Sequence, residues 1–237
     1  MVVEIVARAG FDFVMIDAEH TQIGRGEIEA LLRAAEVAQT PALVRVPGND
    51  RIWISSVLDA GAAGILVPRV NTADDVRAAV AATRYPPVGE RGVGPGRAAA
   101  YGAEIERAIA RGNQDVVLAV QVETKQGLEN IEAIAAVEGV DAIYIGPGDL
   151  AVSLGALGPE GRPLLQKAIA KIAECCLRKG RSAGIFNMTG EDLTQSIARG
   201  LTFLTLAADS VFFIGALNQA VEVIRKAKAS ASQRAIA

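Results

Sequence analysis

Short runs of β-branched and aliphatic residues alternate with longer amphipathic stretches along this chain, and no other feature constrains its fold as strongly. Such alternation, with glycine or proline at the boundaries, is typical of β–α units that build a parallel sheet. We predict strands at Phe13–Asp17, Ala42–Val46, Gly64–Pro68, Val117–Glu123, Ala142–Gly146, Ala183–Asn187 and Phe203–Ala207. The intervening stretches that we predict as helices include Glu27–Ala38, Ala73–Thr83, Gln126–Ala135 and Leu164–Arg178.

The distribution of polar residues decides between a closed barrel and an open, doubly wound sheet, the two architectures that parallel β–α units form. An open sheet gathers its site at one switch point, whereas a barrel site draws residues from the ends of many strands. Asp17, Arg45, Glu123 and Asn187 lie at the C-terminal ends of different predicted strands. We therefore predict an α/β fold, a (β/α)8 TIM barrel, as a single domain over residues 1–237.

The predicted strands are one short of a complete barrel. The chain begins with a predicted helix, Val2–Arg8, and too few residues precede it to form a strand. We therefore expect a barrel that lacks its first strand, with a seam between the strands Phe13–Asp17 and Phe203–Ala207. Unpaired buried N–H and C=O groups cost about 1–3 kcal/mol each, so direct approach of these strands or a neighbouring subunit should close the seam.

Composition excludes several classes of protein. The chain is 51% hydrophobic but only 4% aromatic, which suits aliphatic parallel strands under alanine-rich helices. Its net charge of −3 comes with no basic cluster, which argues against a nucleic-acid partner. No apolar run reaches the ~18–20 residues of a membrane span. The adjacent Cys175 and Cys176 indicate reduced thiols, so we expect a cytoplasmic protein without membrane partners.

Two carboxylates follow neighbouring predicted strands. Glu123 closes the segment QVE, and Asp149 closes the segment GPGD after the next strand. Because barrel strands converge at their ends, this pair is suited to an octahedral Mg²⁺ or Mn²⁺, with further positions for water and a chelating 2-oxoacid. Backbone N–H groups around Gly148 would receive the substrate carboxylate. The alternative is structural, with Glu123 paired to Lys125 and Asp149 capping a helix.

His20 is the only histidine of the chain and follows the first predicted strand in the segment DAEH. Histidine is the side chain most readily poised for proton transfer near neutral pH. Its place at the C-terminal end of a barrel strand favours a catalytic base over a structural histidine. A base needs an acceptor that orients its ring, and Asp17, Glu19 or Asp59 could serve.

Arg45 interrupts the otherwise apolar segment LVRV. Burying an arginine near the barrel mouth is costly unless it faces an anion. An enolate oxygen is such an anion, and a fixed guanidinium would stabilise its developing charge. The alternative is an internal salt bridge to Asp17 or Glu19.

Several segments, taken in order, resemble the HpcH/HpaI aldolases. These are class II pyruvate aldolases of the phosphoenolpyruvate/pyruvate barrel type, acting on 4-hydroxy-2-oxoacids such as 4-hydroxy-2-oxoheptanedioate and 2-dehydro-3-deoxyglucarate. The resemblance runs from about Val3 to about Ala216 and rests on GFDFVMIDAEH (10–20), VRVPGND (44–50), LDAGAAGILVPRV (58–70), RYPPVGERGVG (84–94), VQVET (120–124) and GVDAIYIGPGDLAVSLG (139–155). Family members normally carry a further N-terminal segment with the first strand, which this chain lacks.

The resemblance implies a role for each metal-binding and substrate-binding residue. Glu123 and Asp149 match the residues that hold the divalent metal, which would be Mg²⁺, Mn²⁺ or Co²⁺. Gln121 and the backbone around Gly148 and Asp149 match the groups that contact the bound oxoacid.

The resemblance also implies the catalytic residues and the assembly. His20 matches the acid–base group, Asp59 matches the aspartate paired with it, and Arg45 matches the arginine that stabilises the enolate. Related proteins assemble as dimer-based hexamers, so we expect a homo-oligomer with the C-terminal helix, about residues 210–229, at a subunit interface.

We therefore predict a metal-dependent aldolase, a carbon–carbon lyase that cleaves 4-hydroxy-2-oxoacids to pyruvate and an aldehyde through a metal-stabilised pyruvate enolate. Three rivals stay open. A Schiff-base aldolase needs a desolvated lysine, and only Lys125 lies near a strand end. A lyase acting on a coenzyme A thioester, of the citrate lyase beta type, shares the metal–enolate chemistry. The third alternative is a non-catalytic barrel that binds oxoacids. The presence of both His20 and Arg45 argues against it, because binding alone does not require them.

Overall fold

The computed structural model describes residues 1–234, which form a nearly closed barrel of seven parallel strands paired in chain order. The strands are β1 (Val14–Asp17), β2 (Ala42–Arg45), β3 (Gly64–Val67), β4 (Val117–Val122), β5 (Ala142–Ile145), β6 (Ser182–Asn187) and β7 (Phe203–Leu206). Each predicted strand is present, and its ends differ from the prediction by no more than one residue. The predicted α/β barrel lacking one strand is thus confirmed.

Helices connect the strands, and most of them pack on the outside of the barrel. They are α1 (Val2–Ala7), α2 (Arg25–Val37), α3 (Arg51–Asp59), α4 (Ala73–Thr83), α5 (Ile105–Gly112), α6 (Lys125–Glu129), α7 (Ile131–Ala135), α8 (Pro147–Ser153), α9 (Gly158–Arg178), α10 (Gly190–Ala198) and α11 (Asp209–Arg234), with a short 3-10 segment at Arg97–Gly102. The single helix predicted over Gln126–Ala135 is wrong, because α6 and α7 are separated at Asn130. The Asn130 side chain donates a 2.8 Å hydrogen bond to the carbonyl of Asn71, a tertiary contact that the local pattern does not contain.

Side chains along the strands alternate between the helices and the barrel interior, since successive strand residues point to opposite faces. On β4, Leu118, Val120 and Val122 belong to the large apolar cluster under the helices. Ala119 belongs instead to a small apolar cluster inside the barrel, formed with Leu66, Ala142 and Tyr144. Gln121 has the same parity as Ala119. The inward positions near the C-terminal ends of the strands are therefore the ones that carry polar groups.

The seam of the barrel lies between β1 and β7, which are the two ends of the sheet order. Phe13, just before β1, stacks on Phe203 of β7 with ring centroids 5.0 Å apart and ring planes within 3°. Tyr144 of β5 contacts Phe203 edge-on, with a centroid distance of 5.9 Å. These ring contacts bring the two edges together by side-chain packing, one of the two closures expected for the seam.

The last helix, α11, contrasts with the others because its side chains are exposed throughout residues 209–228. Large apolar residues are among them: Val211, Phe212, Phe213, Ile214, Leu217, Val221, Val223 and Ile224. The predicted C-terminal helix is present, and the chain itself leaves its apolar side chains uncovered. Over residues 1–234 we find no helix that combines the length and the apolar character needed to cross a membrane.

Candidate active site

The register of the sheet pairs Asp17 with Arg45 at the C-terminal ends of β1 and β2. The Asp17 carboxylate accepts hydrogen bonds from Arg45 Nε at 2.8 Å and from Nη2 at 2.6 Å. Burial tends to raise the pKa of Asp17, but the hydrogen bonds and positive charge of Arg45 outweigh it and hold that pKa below its usual value. The guanidinium is thereby fixed by a bidentate contact. The alternative of an internal salt bridge at Arg45 is therefore present in the structure.

The segment after β1 folds back over Arg45 because Asp17 also binds its backbone. Asp17 Oδ1 accepts hydrogen bonds from the N–H groups of Glu19, at 3.0 Å, and of His20, at 3.4 Å. This turn places Glu19 Oε2 at 3.2 Å from Arg45 Nη1 and at 3.8 Å from His20 Nε2. The arginine is therefore held between two carboxylates, and the second of them also faces the histidine.

Glu123 follows β4 and is buried, with only 2% of its surface exposed. Its Oε2 accepts a hydrogen bond from the Gln121 amide, and its Oε1 accepts one from the backbone N–H of Arg69 at 2.9 Å. Arg69 adopts a φ of +54° there, in the left-handed region that arginine rarely occupies. A Cβ atom at Gly146, which follows β5, would lie 2.6 Å from Glu123 Oε2. Glycine at this position is what leaves room for the carboxylate.

Asp149 lies in the first turn of α8, exposed at the mouth of the barrel. Burial raises the pKa of Glu123, the Gln121 hydrogen bond opposes it, and the negative charges of Glu19 and Asp149 add to the rise. These carboxylates are therefore close enough to repel one another. No side-chain cap hydrogen bond is present at the start of α8, so the capping alternative for Asp149 finds no support. Lys125 is exposed and pairs with Glu129 at 4.0 Å, so it is not the partner of Glu123.

The donors at this mouth fit a divalent cation. Glu123 and Asp149 offer hard carboxylate oxygens, and a cation between them would offset their mutual repulsion. Gln121 Oε1 and Glu19 Oε2 are buried oxygen atoms without a hydrogen-bond donor in the structure. Over residues 1–234, no three histidine, cysteine or acidic side chains converge into a ready-made metal site. The chain would thus supply two carboxylates and leave the remaining positions to water and substrate.

The structure separates two of the predicted catalytic residues. His20 follows the C-terminal end of β1, and 61% of its side chain is exposed. Asp59 is the last residue of α3, next to the turn that enters β3, and so lies near the opposite end of the barrel. Its Oδ1 accepts a 2.8 Å hydrogen bond from the buried Arg91. Within one copy of the chain, Asp59 and His20 are not brought together.

Two further predicted positions have different surroundings. Gly148 is exposed in the first turn of α8, and a Cβ atom added to it would meet no atom within 4 Å. This leaves open space for a ligand beside its backbone. Asn187 is fully occupied by structural contacts, since it donates to the carbonyls of Ile185 and Thr205 and accepts from Ser196. The polar end of β6 therefore does not contribute a free group to the mouth.

Tyr144 is a neighbour of the site that the sequence analysis did not identify. It pairs with Gln121 in the sheet register, and its hydroxyl is hydrogen-bonded to Thr205 of β7. Burial raises the pKa of Tyr144 to about 12, so the phenol stays neutral. The sequence feature that could have identified it is its position two residues before Gly146 on β5. Residues two apart on a strand face the same side, which here is the barrel interior. Tyr144 is buried inside the barrel, and its hydroxyl ties β5 to β7.

Comparisons with known proteins identify similar chains and folds. The family model described as HpcH/HpaI aldolase/citrate lyase matches residues 1–216. A hydroxypyruvate/pyruvate aldolase of Paraburkholderia phytofirmans is 38% identical over 229 residues, covering 94% of this chain and 88% of the relative. A 4-hydroxy-2-oxovalerate aldolase of Novosphingobium aromaticivorans is 40% identical over 90% of this chain and 81% of its own length. A solved HpcH/HpaI aldolase/citrate lyase family protein of Burkholderia cenocepacia superposes with a TM-score of 0.89 at 36% identity, covering 94% of this chain and 89% of that one.

Proposed function

Because this chain belongs to the HpcH/HpaI aldolase/citrate lyase family, we propose that it is a divalent-metal-dependent aldolase that cleaves 4-hydroxy-2-oxoacids to pyruvate and an aldehyde. One observation carries the proposal. The carboxylates of Glu123 and Asp149 lie at the same barrel mouth as Glu19 and the guanidinium of Arg45, with His20 at the rim. The named relatives support it, because hydroxypyruvate, pyruvate and 4-hydroxy-2-oxovalerate all contain a 2-oxoacid group.

Glu123 and Asp149 are the residues proposed to hold the cation. When bound, a divalent ion supplies Lewis-acid polarisation of the keto oxygen of a chelating 2-oxoacid. The substrate carboxylate is proposed to bind the N–H groups at the start of α8, around Gly148. Gln121 donates a hydrogen bond to Glu123 and so orients the Glu123 carboxylate, while its own Oε1 is buried and has no donor of its own.

Arg45 is proposed to stabilise the enolate oxygen. Its Nε and Nη2 are committed to Asp17, whereas Nη1 has only an ion-pair contact with Glu19 and no aligned hydrogen bond. A substrate oxygen can therefore accept a hydrogen bond from Nη1 while Asp17 keeps the guanidinium in place. Donors that are held in advance where charge develops give the largest catalytic benefit.

His20 is proposed to move the proton. In cleavage it takes the proton of the C4 hydroxyl, directly or through one water. The electron pair left on that oxygen forms the aldehyde carbonyl, and the C3–C4 bond breaks. The electron pair of the broken C3–C4 bond forms the C2–C3 double bond of the enolate, and the negative charge moves to the C2 oxygen. His20 then delivers to C3 the proton that it took from the hydroxyl, which gives pyruvate and leaves no proton over.

Pyruvate release from a panel of 4-hydroxy-2-oxoacids, with and without Mn²⁺, Co²⁺ or Mg²⁺, tests the proposed function. We expect release that depends on added metal, coupled to formation of an equimolar amount of aldehyde. A chain that binds 2-oxoacids without releasing pyruvate would be a non-catalytic barrel. A chain that cleaves only coenzyme A thioesters would be a lyase of the citrate lyase beta type. Either result would overturn the proposal.

Arg45→Lys is expected to reduce pyruvate release by about 10²–10³-fold, the scale for loss of an oxyanion donor. Lysine keeps the charge but cannot grip Asp17 through two nitrogens and still offer a third to the substrate. The measurement is kcat at saturating Mn²⁺, together with the Kd for Mn²⁺. Arg178→Lys, which alters an exposed ion pair with Glu132, is the matched control and should keep the wild-type rate. An Arg45→Lys enzyme of wild-type rate would contradict the role of Arg45.

We further propose that the chain forms a homo-oligomer, a dimer-based hexamer, in which α11 lies at a subunit interface. The support is the exposed apolar surface of α11, where 68% of Phe213 is accessible. Phe213→Lys should shift the molar mass measured by light scattering toward smaller species, while Leu177→Lys on α9 should not. A wild-type chain that is monomeric at micromolar concentration would contradict this proposal.

A further inference from the structure

Three carboxylates were candidates for the partner of the His20 ring, and the structure separates them. Asp17 binds Arg45 with both oxygens and also two backbone N–H groups. Asp59 is bound by Arg91 near the other end of the barrel. Glu19 is the one of the three that lies beside the ring, with Oε2 at 3.8 Å from His20 Nε2. Geometry within one chain therefore favours Glu19.

The Glu19 carboxylate is also unusual in what it lacks. Oε2 is buried and has no hydrogen-bond donor, although Arg45 Nη1 lies at 3.2 Å. The contact with Arg45 meets the distance of an ion pair but not the alignment of a hydrogen bond. A buried carboxylate oxygen is stable only with a charged or hydrogen-bonded partner. One oxygen atom of Glu19 thus faces two groups, a permanent cation and a histidine that becomes a cation when it accepts a proton.

We propose that Glu19 is a positioning residue that stabilises the protonated form of His20 during turnover, and so acts on the reaction through that ring. The inference rests on the aldolase function proposed above. When the substrate hydroxyl proton moves to His20, the ring gains positive charge beside Glu19 Oε2. In the same step negative charge grows on the former keto oxygen, which attracts the Nη1 donor of Arg45. The Glu19 carboxylate thus interacts less with the Arg45 guanidinium and more with the protonated His20 ring. No covalent bond of Glu19 changes.

Glu19→Gln tests this role because it removes the charge and keeps the size of the side chain. At saturating metal and substrate we expect kcat to fall by about 10–100-fold, the usual loss when the residue supporting a reactive group is changed. The KM for the 4-hydroxy-2-oxoacid should stay within about threefold of wild type, since substrate contacts are kept. Mn²⁺ affinity is measured separately, because Glu19 also faces the field of Glu123 and Asp149. Glu132→Gln, at an exposed glutamate, should retain the wild-type rate.

A double-mutant cycle distinguishes action through His20 from a structural role. In a His20→Ala enzyme, adding Glu19→Gln should cost less than about threefold more, because the charge to be stabilised no longer forms. The same loss in both backgrounds would overturn the proposal, as would a wild-type kcat in Glu19→Gln. A loss in Asp59→Asn together with none in Glu19→Gln would assign the role to Asp59 instead. Absence of pyruvate release from the wild-type enzyme would refute the proposed function itself. That failure is seen in the wild type, whereas failure of the Glu19 proposal is seen only in the variants.

Discussion

Glu123→Gln is expected to lower pyruvate release by about 10³-fold or more, even in excess Mn²⁺. Glu123 supplies one of the two carboxylates proposed for the cation, and a neutral amide cannot replace its charge. Lewis-acid stabilisation contributes several kcal/mol to the barrier, and each ~1.4 kcal/mol changes the rate tenfold. The measurement is the initial rate across a Mn²⁺ titration, with bound Mn²⁺ followed by electron paramagnetic resonance. Chelation of the wild-type enzyme should produce a comparable loss that added metal reverses.

The control for this variant is Glu129→Gln, which changes an exposed glutamate on α6 that pairs with Lys125. It should bind Mn²⁺ and release pyruvate as the wild type does. Full activity of Glu123→Gln, or of the wild type in excess chelator, would show that the cation is not needed. Borohydride trapping of Lys125 with pyruvate would identify a Schiff-base aldolase instead.

His20→Ala is expected to lose about 10²–10⁴-fold in kcat, the contribution of a positioned acid–base group. Mn²⁺ affinity should be unchanged, because His20 lies at the rim and is not a proposed ligand. The exposed position of the ring allows a further measurement. Imidazole added to the solution can enter the space that the side chain leaves, so partial recovery of the rate is expected. No comparable recovery should occur in Glu123→Gln.

Two results would contradict the role of His20. A near wild-type rate in His20→Ala would remove the proton transfer from this residue. Loss of Mn²⁺ binding together with activity would instead place His20 among the metal ligands. Because the chain contains a single histidine, neither result can be attributed to another imidazole.

The strands were predictable because a fully buried parallel strand is recognisable locally. Runs such as AIYI on β5 are buried at every position, and glycine or proline follows them. The break between α6 and α7 was not predictable, since Asn130 ends α6 by binding Asn71, a residue far away along the chain. The packing of side chains across the seam was not predictable either. It depends on Phe13 and Phe203 meeting face to face, and this requires the strand curvature to be known.

For the site, strand ends predicted which residues meet at the mouth. Asp17 and Arg45 share a register position, and Glu123 and Gly146 follow paired strands. The sequence could not predict whether Asp17 or Glu19 lies beside the His20 ring. That pairing depends on the turn that Asp17 stabilises through the N–H groups of Glu19 and His20. The pairing of His20 with Asp59 was implied by resemblance, and it stays a prediction that a single chain does not satisfy. Tyr144 was missed because it lies in the apolar run AIYI, whereas its hydroxyl is bonded to Thr205 in the barrel interior.

Enolate formation from pyruvate is the most direct test of the central claim, that this barrel stabilises the pyruvate enolate with a cation and Arg45. The measurement is exchange of the pyruvate methyl protons for deuterium in D2O, followed by proton NMR without any aldehyde present. We predict exchange that requires added Mn²⁺ or Mg²⁺, stops in chelator, and is lost in Arg45→Lys. Exchange that persists in chelator, or no exchange at all from an enzyme that binds pyruvate and metal, would contradict this account.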